Sequence, residues 1–385
     1  MKRVLFLILI FGCYLNAIEM IIAKRVDSVE QIDSLNYKPT EIIVYPQTTL
    51  RLNDKDTNRV NSNLLAKRVQ VLAFFDNKKL KVVLKWRDDT NSTVLINETD
   101  SYADGFAVQF AIDGKSVKEL PYIAMGDRDK KVIIYLHKNQ LVKKKPNFNN
   151  KIAHNLDFLN KNLSGDNNFS TPPRSIYQKT FLANGYGHME EVKEYNSSSS
   201  KMYYKNGLWY GELTRDLVDN NIALDKGVNF VAFAIWNGAK KQRDGIKRIS
   251  GWLPIKLESV LGGEEILAEF NNKPKADIKN GEKLVLEHCS MCHRYKEVQK
   301  ANQYQAPNLS NVGGYMTRAY IKSALKPNAH ITRKVQNKKK MAQPWSIAKE
   351  KNAVSIMPKF SKILDEKSIN DIIGFLQTLK SEVEK

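Results

Sequence analysis

The 385-residue sequence predicts an all-β sandwich followed by an all-α domain, because its apolar residues change period once along the chain. Short alternating runs bounded by turn residues fill residues 42–257, as half-buried strands require. Beyond an Asn-, Lys- and Pro-containing stretch the spacing becomes helical. A chain of this length exceeds one ordinary domain, so two cores are expected. The expected division is a signal peptide at residues 1–17, the sandwich at 40–257, a linker at 258–275 and the helical domain at 276–385.

Within the sandwich, Leu80, Val82, Leu84 and Trp86 alternate with Lys81, Val83 and Lys85, giving one buried and one wetter face. Residues 69–75 pair with that strand through a turn at Asp76-Asn77. Residues 106–112, 132–136 and 228–236 are further strands. Asn206-Gly207, between Met202-Tyr203-Tyr204 and Leu208-Trp209-Tyr210, is a hairpin turn, since both residues tolerate positive φ. Residues 143–173 read as a long loop or insertion, with a lid as the alternative, and Ser197 to Ser200 as a low-complexity surface turn. In the second domain residues 281–288 form a helix. Ile369, Ile372, Ile373, Leu376 and Leu379 form another, entered at Asp365 as its cap.

Met1-Lys2-Arg3 and the apolar run from Val4 to Leu15 read as a secretory signal, too short to span a bilayer comfortably. Cleavage is expected after Ala17, or failing that after Ala23, placing the mature protein in the periplasm. Cys13, behind Ile10-Phe11-Gly12, opens a lipid-anchored alternative that is disfavoured because Phe11 fits the lipoprotein box badly. The net charge of +20 falls to +18 once Lys2 and Arg3 are removed. An excess of that size often accompanies nucleic-acid binding. Export argues against it, and the basic residues are scattered among acidic ones rather than grouped. What remains is a solvated surface, or steering toward an acidic redox partner or an anionic membrane face.

Without Cys13 only Cys289 and Cys292 are left, and a Cys-x-x-Cys pair alone is compatible with a disulfide. His293 completes Cys289-Ser290-Met291-Cys292-His293, the sequence by which c-type haem is attached. Two cysteines three apart on a helical turn reach the two vinyl groups of one porphyrin edge, and the adjacent histidine then faces the iron. A redox disulfide and half a zinc site are the competing readings; zinc wants a second pair of ligands, and no cysteines remain. The sixth iron ligand is expected at Met357, in Ser355-Ile356-Met357-Pro358-Lys359-Phe360, where Pro358 stiffens the loop before the last helix. Met316 and Met341 read as packing or surface residues, and His330 as a solvent-facing histidine after Pro327, with a rival ligand as its alternative. Residues 276–383 resemble class I cytochromes c, through Cys289-x-x-Cys292-His293, Ala306-Pro307-Asn308-Leu309 and Met357-Pro358-x-Phe360.

The first domain carries six short stretches in order. They are Val44-Tyr45-Pro46-Gln47, Leu84-Lys85-Trp86-Arg87-Asp88-Asp89, and Ala103-Asp104-Gly105-Phe106-Ala107-Val108-Gln109-Phe110. Then come Pro121-Tyr122-Ile123-Ala124-Met125-Gly126-Asp127, Phe233-Ala234-Ile235-Trp236-Asn237-Gly238 and the run from Arg243 to Trp252. With these, the domain resembles the haem b subunits of ethylbenzene dehydrogenase and related periplasmic molybdenum enzymes. That resemblance implies a sandwich holding non-covalent haem b between Met125 and Lys247. One departure is that the family usually places a Trp-Lys pair on the next strand, where this chain has Tyr135-Leu136-His137-Lys138, so His137 becomes a rival ligand. Lysine ligation requires the neutral amine. At pH 7 its deprotonation costs roughly 4.6 kcal/mol for a free side chain, which burial lowers.

Together the two resemblances imply a dihaem electron-transfer protein relaying electrons between a molybdenum-type oxidoreductase and another carrier. The partners implied are molybdenum and iron–sulfur subunits or a soluble redox carrier, with a membrane surface open to it and no nucleic acid. The chain is then an electron-transfer subunit rather than a catalyst in its own right. Two other classes are a monohaem cytochrome c with a non-haem, ligand- or partner-binding sandwich, and a haem peroxidase, whose open iron position Met357 would fill.

Overall fold

The computed structural model describes residues 20–48, 64–94, 101–112, 116–127, 130–143, 174–185, 188–192, 197–296, 298, 306–325 and 357–384. The signal segment with Cys13, the stretch 144–173, His330 and Met341 lie outside the described residues.

The strands in chain order begin with β1 (Ile21–Arg25), β2 (Thr40–Pro46), β3 (Lys67–Phe75), β4 (Lys79–Arg87) and β5 (Gly105–Ala111). Next are β6 (Val132–Lys143), β7 (Arg174–Ala183), β8 (Met189–Glu191), β9 (Ser198–Lys205) and β10 (Leu208–Asp216). The last are β11 (Val228–Trp236), β12 (Arg248–Ile249) and β13 (Leu253–Leu257). They hydrogen-bond in the order β8-β7-β6-β5-β11-β12-β2-β3-β4-β10-β9. β11 and β3 are bridged twice, by β12 with β2 and by β13 with β1. The β1 pairings are parallel.

This sheet folds over itself as a sandwich. Leu84, Trp86, Trp209 and Leu213 from β4 and β10 share one inner core with Phe106, Phe110, Ile133, Val231 and Phe233 from β5, β6 and β11. Trp86 lies 6.4 Å from both Phe106 and Trp209. Each such side chain contributes about 1.5–3 kcal/mol by leaving water. The expected turns are formed by their own chemistry. Asp76 accepts from the amides of Lys78 and Lys79, and Asn206 and Gly207 adopt φ of 52° and 77°.

Three features differ from the sequence reading. β1 lies upstream of residue 40 and is part of the sheet, so a cut after Ala23 would divide a paired strand. Ser198–Ser200 is not a turn but the start of β9, because the β10 ladder supplies backbone bonds that an edge strand needs whatever its side chains. The stretch read as linker contains a helix, α1 (Glu264–Asn271), whose Phe270 packs on Phe230 at 5.7 Å.

The second domain holds α2 (Ile278–His288), α3 (Val312–Tyr315), α4 (Arg318–Ala324) and α5 (Glu366–Thr378). Asp277, Thr317 and Asp365 cap three of them by accepting from the amides of Asn280, Tyr320 and Ser368. α2 crosses α5 at Gly281, where a Cβ would stand 2.1 Å from the Asp371 carbonyl oxygen. The core behind them contains Val285, Ile369, Ile372, Ile373 and Leu376. This domain docks on the outer face of the sandwich: the Thr48 amide donates to the Tyr315 hydroxyl at 3.2 Å, and Tyr122 meets Tyr320 at 5.4 Å between centroids. Met316 packs into the cores of both domains. Val383 makes a parallel bridge to Ala66.

Candidate functional site

The end of α2 brings together the first set of residues expected to hold haem. Cys289 caps the helix with its amide on the Val285 carbonyl, and the amides of Cys292 and His293 then turn back to the Cys289 carbonyl at 3.1 and 2.8 Å. Cys289, Cys292 and His293 are thereby wound into a single turn. No disulfide joins the two cysteines; Cys289 is buried and Cys292 exposed. Burial pushes the Cys289 thiol up to about 12.

His293 donates from Nδ1 to the Pro307 carbonyl at 2.7 Å, which leaves the Nε2 lone pair as the ring's donor to a metal. Burial pushes its imidazole below the ordinary range, with the Pro307 bond opposing, so the ring is kept in the neutral form that ligates. Met357 is half-buried and packs against the same core as Cys289, Tyr295 and Phe360. Two thiols, one oriented imidazole and one thioether around an apolar core fit a covalently held haem.

The second set lies on the outer face of the sandwich. Because side chains alternate, Ile133, Tyr135 and His137 point into the inner core while Ile134, Leu136 and Lys138 point outward. His137 stacks on Phe106 at 5.6 Å and shares a 2.8 Å hydrogen bond with Ser200. Burial pushes its imidazole down to about 4. It faces away from Met125 and Lys247. Those two residues open onto the outer face together with Trp236, Ala234, Ala232, Ala107 and Ala111.

Register locates them further. Lys247 Nζ stands 5.5 Å from the Trp236 ring centre, level with Gly105 at one end of β5. Met125 sits in a turn whose carbonyl accepts from Gly185, just past Ala183 and so near the other end. Between them β5 and β11 present Ala107, Ala111, Ala232 and Ala234, with Gln109 turned to the Ile123 carbonyl, to which it donates at 2.6 Å. Lys247 donates to the Asp244 carbonyl at 3.0 Å. Burial lowers its pKa to about 8, aided by Lys138 and opposed by Asp244. At pH 7 that leaves roughly 1.4 kcal/mol of deprotonation cost. A thioether, a readily neutralised amine and a floor of small residues fit a flat macrocycle with iron at its centre.

The sequence reading did not foresee a third constellation. Asp88, Asp104 and Asn237-Gly238, from three separate quoted stretches, meet in one buried knot. Asn237 Nδ2 donates to both Asp88 oxygens at 2.8 and 2.7 Å. Asp104 accepts from the amides of Gly238 and Ser92 at 2.7 and 2.6 Å and from Trp209 Nε1 at 3.1 Å. Burial raises Asp104 to about 6 against these bonds. Acidic residues inside apolar stretches were the available signal.

Residues 38–248 match the family model described as ethylbenzene dehydrogenase, and residues 278–380 that of cytochrome c. The gamma subunit of chlorate reductase from Ideonella dechloratans is 26% identical over 179 residues, 45% of this chain and 57% of the relative. The match thus spans a little over half of that protein. A family 9 carbohydrate-binding module from Caldicellulosiruptor kristjanssonii, solved with glucose, aligns over 62% of this chain and 95% of its own at 9% identity. The same module with cellotriose aligns over 62% and 93%. Both have a TM-score of 0.31, a likeness too slight to argue from. Among the described residues no helix is long and apolar enough to cross a membrane.

Proposed function

The chain belongs to the ethylbenzene dehydrogenase family through residues 38–248, and from that membership and its cytochrome c domain we propose a periplasmic dihaem electron-transfer subunit of a molybdenum-type oxidoreductase. In this reading Cys289 and Cys292 hold haem c, with His293 and Met357 as its iron ligands. Met125 and Lys247 hold non-covalent haem b. When bound, the two haems supply reversible one-electron transfer, and the protein supplies ligands, burial and docking.

The observation that carries the reading is the continuity between the two sites. Tyr122, three residues before Met125, packs against Tyr320 of the cytochrome c domain at 5.4 Å, and the Gly126 amide bonds back to the Tyr122 carbonyl at 2.9 Å. The turn bearing one ligand is therefore part of the surface on which the other domain rests. Trp252 stiffens that surface by donating to the Pro121 carbonyl at 2.9 Å. The likeness to a chlorate reductase gamma subunit supports partner reductase subunits, and the apolar run after Met1-Lys2-Arg3 supports export.

Acid–acetone extraction of the purified protein tests both halves. One haem is expected in the organic phase and one on the polypeptide. Met125→Ala and Lys247→Ala should remove or alter only the extractable one. An unchanged low-spin spectrum in both variants refutes the haem b half, and a colourless denatured chain refutes the haem c half.

A further inference from the structure

One cross-strand row on the outer face contains more than Lys247. Trp236 of β11 faces Gly105 of β5, Gly105 faces Lys138 of β6, and Lys138 faces Tyr177 of β7. Residues directly opposite each other share a face, and two strand spacings, about 10 Å, separate Trp236 from Lys138. Lys138 Nζ stands 5.7 Å from the Tyr177 ring centre, as Lys247 Nζ stands 5.5 Å from that of Trp236. Gly105 contributes no side chain between the two lysines, and a Cβ there would lie 3.2 Å from Lys138 Cγ.

The neighbouring cations are in different circumstances. Lys179, also beside Tyr177, is paired with Glu191 at 2.6 Å. Lys138 is half-buried and its ammonium forms no ion pair among the described residues; the Asp244 carboxylate is felt only at longer range. A partly desolvated cation without a counter-charge is destabilising, and an arriving carboxylate removes that cost. Burial also holds the Lys138 ammonium below the usual lysine range. A b-type porphyrin carries two carboxylates along one edge and is otherwise apolar. The row offers an apolar floor, an iron-ligating amine at one end and this cation at the other.

We propose that Lys138 binds a carboxylate of the non-covalent porphyrin and so fixes the rotation of the macrocycle between Met125 and Lys247. This rests on the haem b reading above. The test uses the full-length protein with its covalent haem in place, stripped of extractable haem by excess apomyoglobin and then titrated with haem and with haem dimethyl ester. The wild type should prefer haem by about tenfold or more, the range of one charge-assisted hydrogen bond. Lys138→Met should bring the two affinities to within about twofold while keeping the low-spin spectrum, and Lys138→Arg should restore the preference. A Lys138→Met protein that still prefers haem overturns the proposal alone. Loss of the low-spin spectrum in that variant makes Lys138 an iron ligand and overturns it as well. A wild type that takes up neither compound overturns the haem b reading and this proposal with it.

Discussion

Arg248 is paired with Glu384 across the boundary between the two domains, one residue from Lys247. Arg248 Nε donates to the Leu65 carbonyl at 2.7 Å, and Glu384 also meets Lys67 at 3.3 Å. The Glu384 and Ala66 backbones are joined at 2.8 Å. Glu384→Gln leaves a buried guanidinium without its anion, a loss on the order of 2 kcal/mol for a partly exposed pair. Faster hydrogen exchange at Ala66 and Glu384, with the sheet amides unchanged, is the expected outcome.

The Asp104 carboxyl titrates at about 6 in the fold against an ordinary value of 3.8. The folded state therefore binds more protons than the unfolded state between those values, and stability falls as pH rises through the window. Denaturant titrations at pH 4 and pH 7 should show this group favouring the lower pH by up to about 3 kcal/mol. Asp104→Asn should remove that part of the slope. An identical slope in the variant would place the dependence elsewhere.

At the helix crossing, Gly281→Ala forces a methyl group against the Asp371 carbonyl oxygen and the Phe375 Cβ, at 2.1 and 2.9 Å. Separating the helices should destabilise the cytochrome c domain by about 1–3 kcal/mol. Calorimetry that resolves this domain from the sandwich would register a lower Tm for it alone.

Met357→Ala should lower the reduction potential of the covalent haem, because methionine–histidine ligation lies above other common pairs. Redox titration followed at the absorbance of the covalent haem reads this directly. A potential equal to that of the wild type would remove Met357 from the iron. Met316→Ala is the control, since Met316 packs between the two cores.

Much of this was legible because local chemistry and tertiary packing agree. The alternation Leu80, Val82, Leu84, Trp86 becomes β4 with those residues buried, and Asp365 caps α5 as its sequence position predicts; the expected wetter face of β4 is buried as well at Val83, against Val29 and Phe74, and at Lys81, beside Glu212. The likeness to cytochrome c, which the family match over residues 278–380 bears out, was legible from the spacing of Cys289, Cys292 and His293. β1 was missed because Ile21-Ile22-Ala23-Lys24-Arg25 is short and follows directly on a leader-like segment; its strand character comes from partners far along the chain. α1 was hidden behind Gly262-Gly263, whose φ of 85° and 91° read as linker but here set the helix entry. The Asp88–Asn237 knot and the Lys138 row depend on register between strands, which no local pattern encodes.

The doubly parallel position of β1 has a kinetic consequence. Ile21 pairs with Ile255, and Lys24 bonds to Glu258 across 234 residues. Such contacts charge the full entropy of closing a long loop before returning any stabilisation, so the first domain should condense late and slowly. A nascent chain lacking residues 253–257 would expose the unpaired edges of β1 and β11, the surfaces on which a holdase chaperone would act.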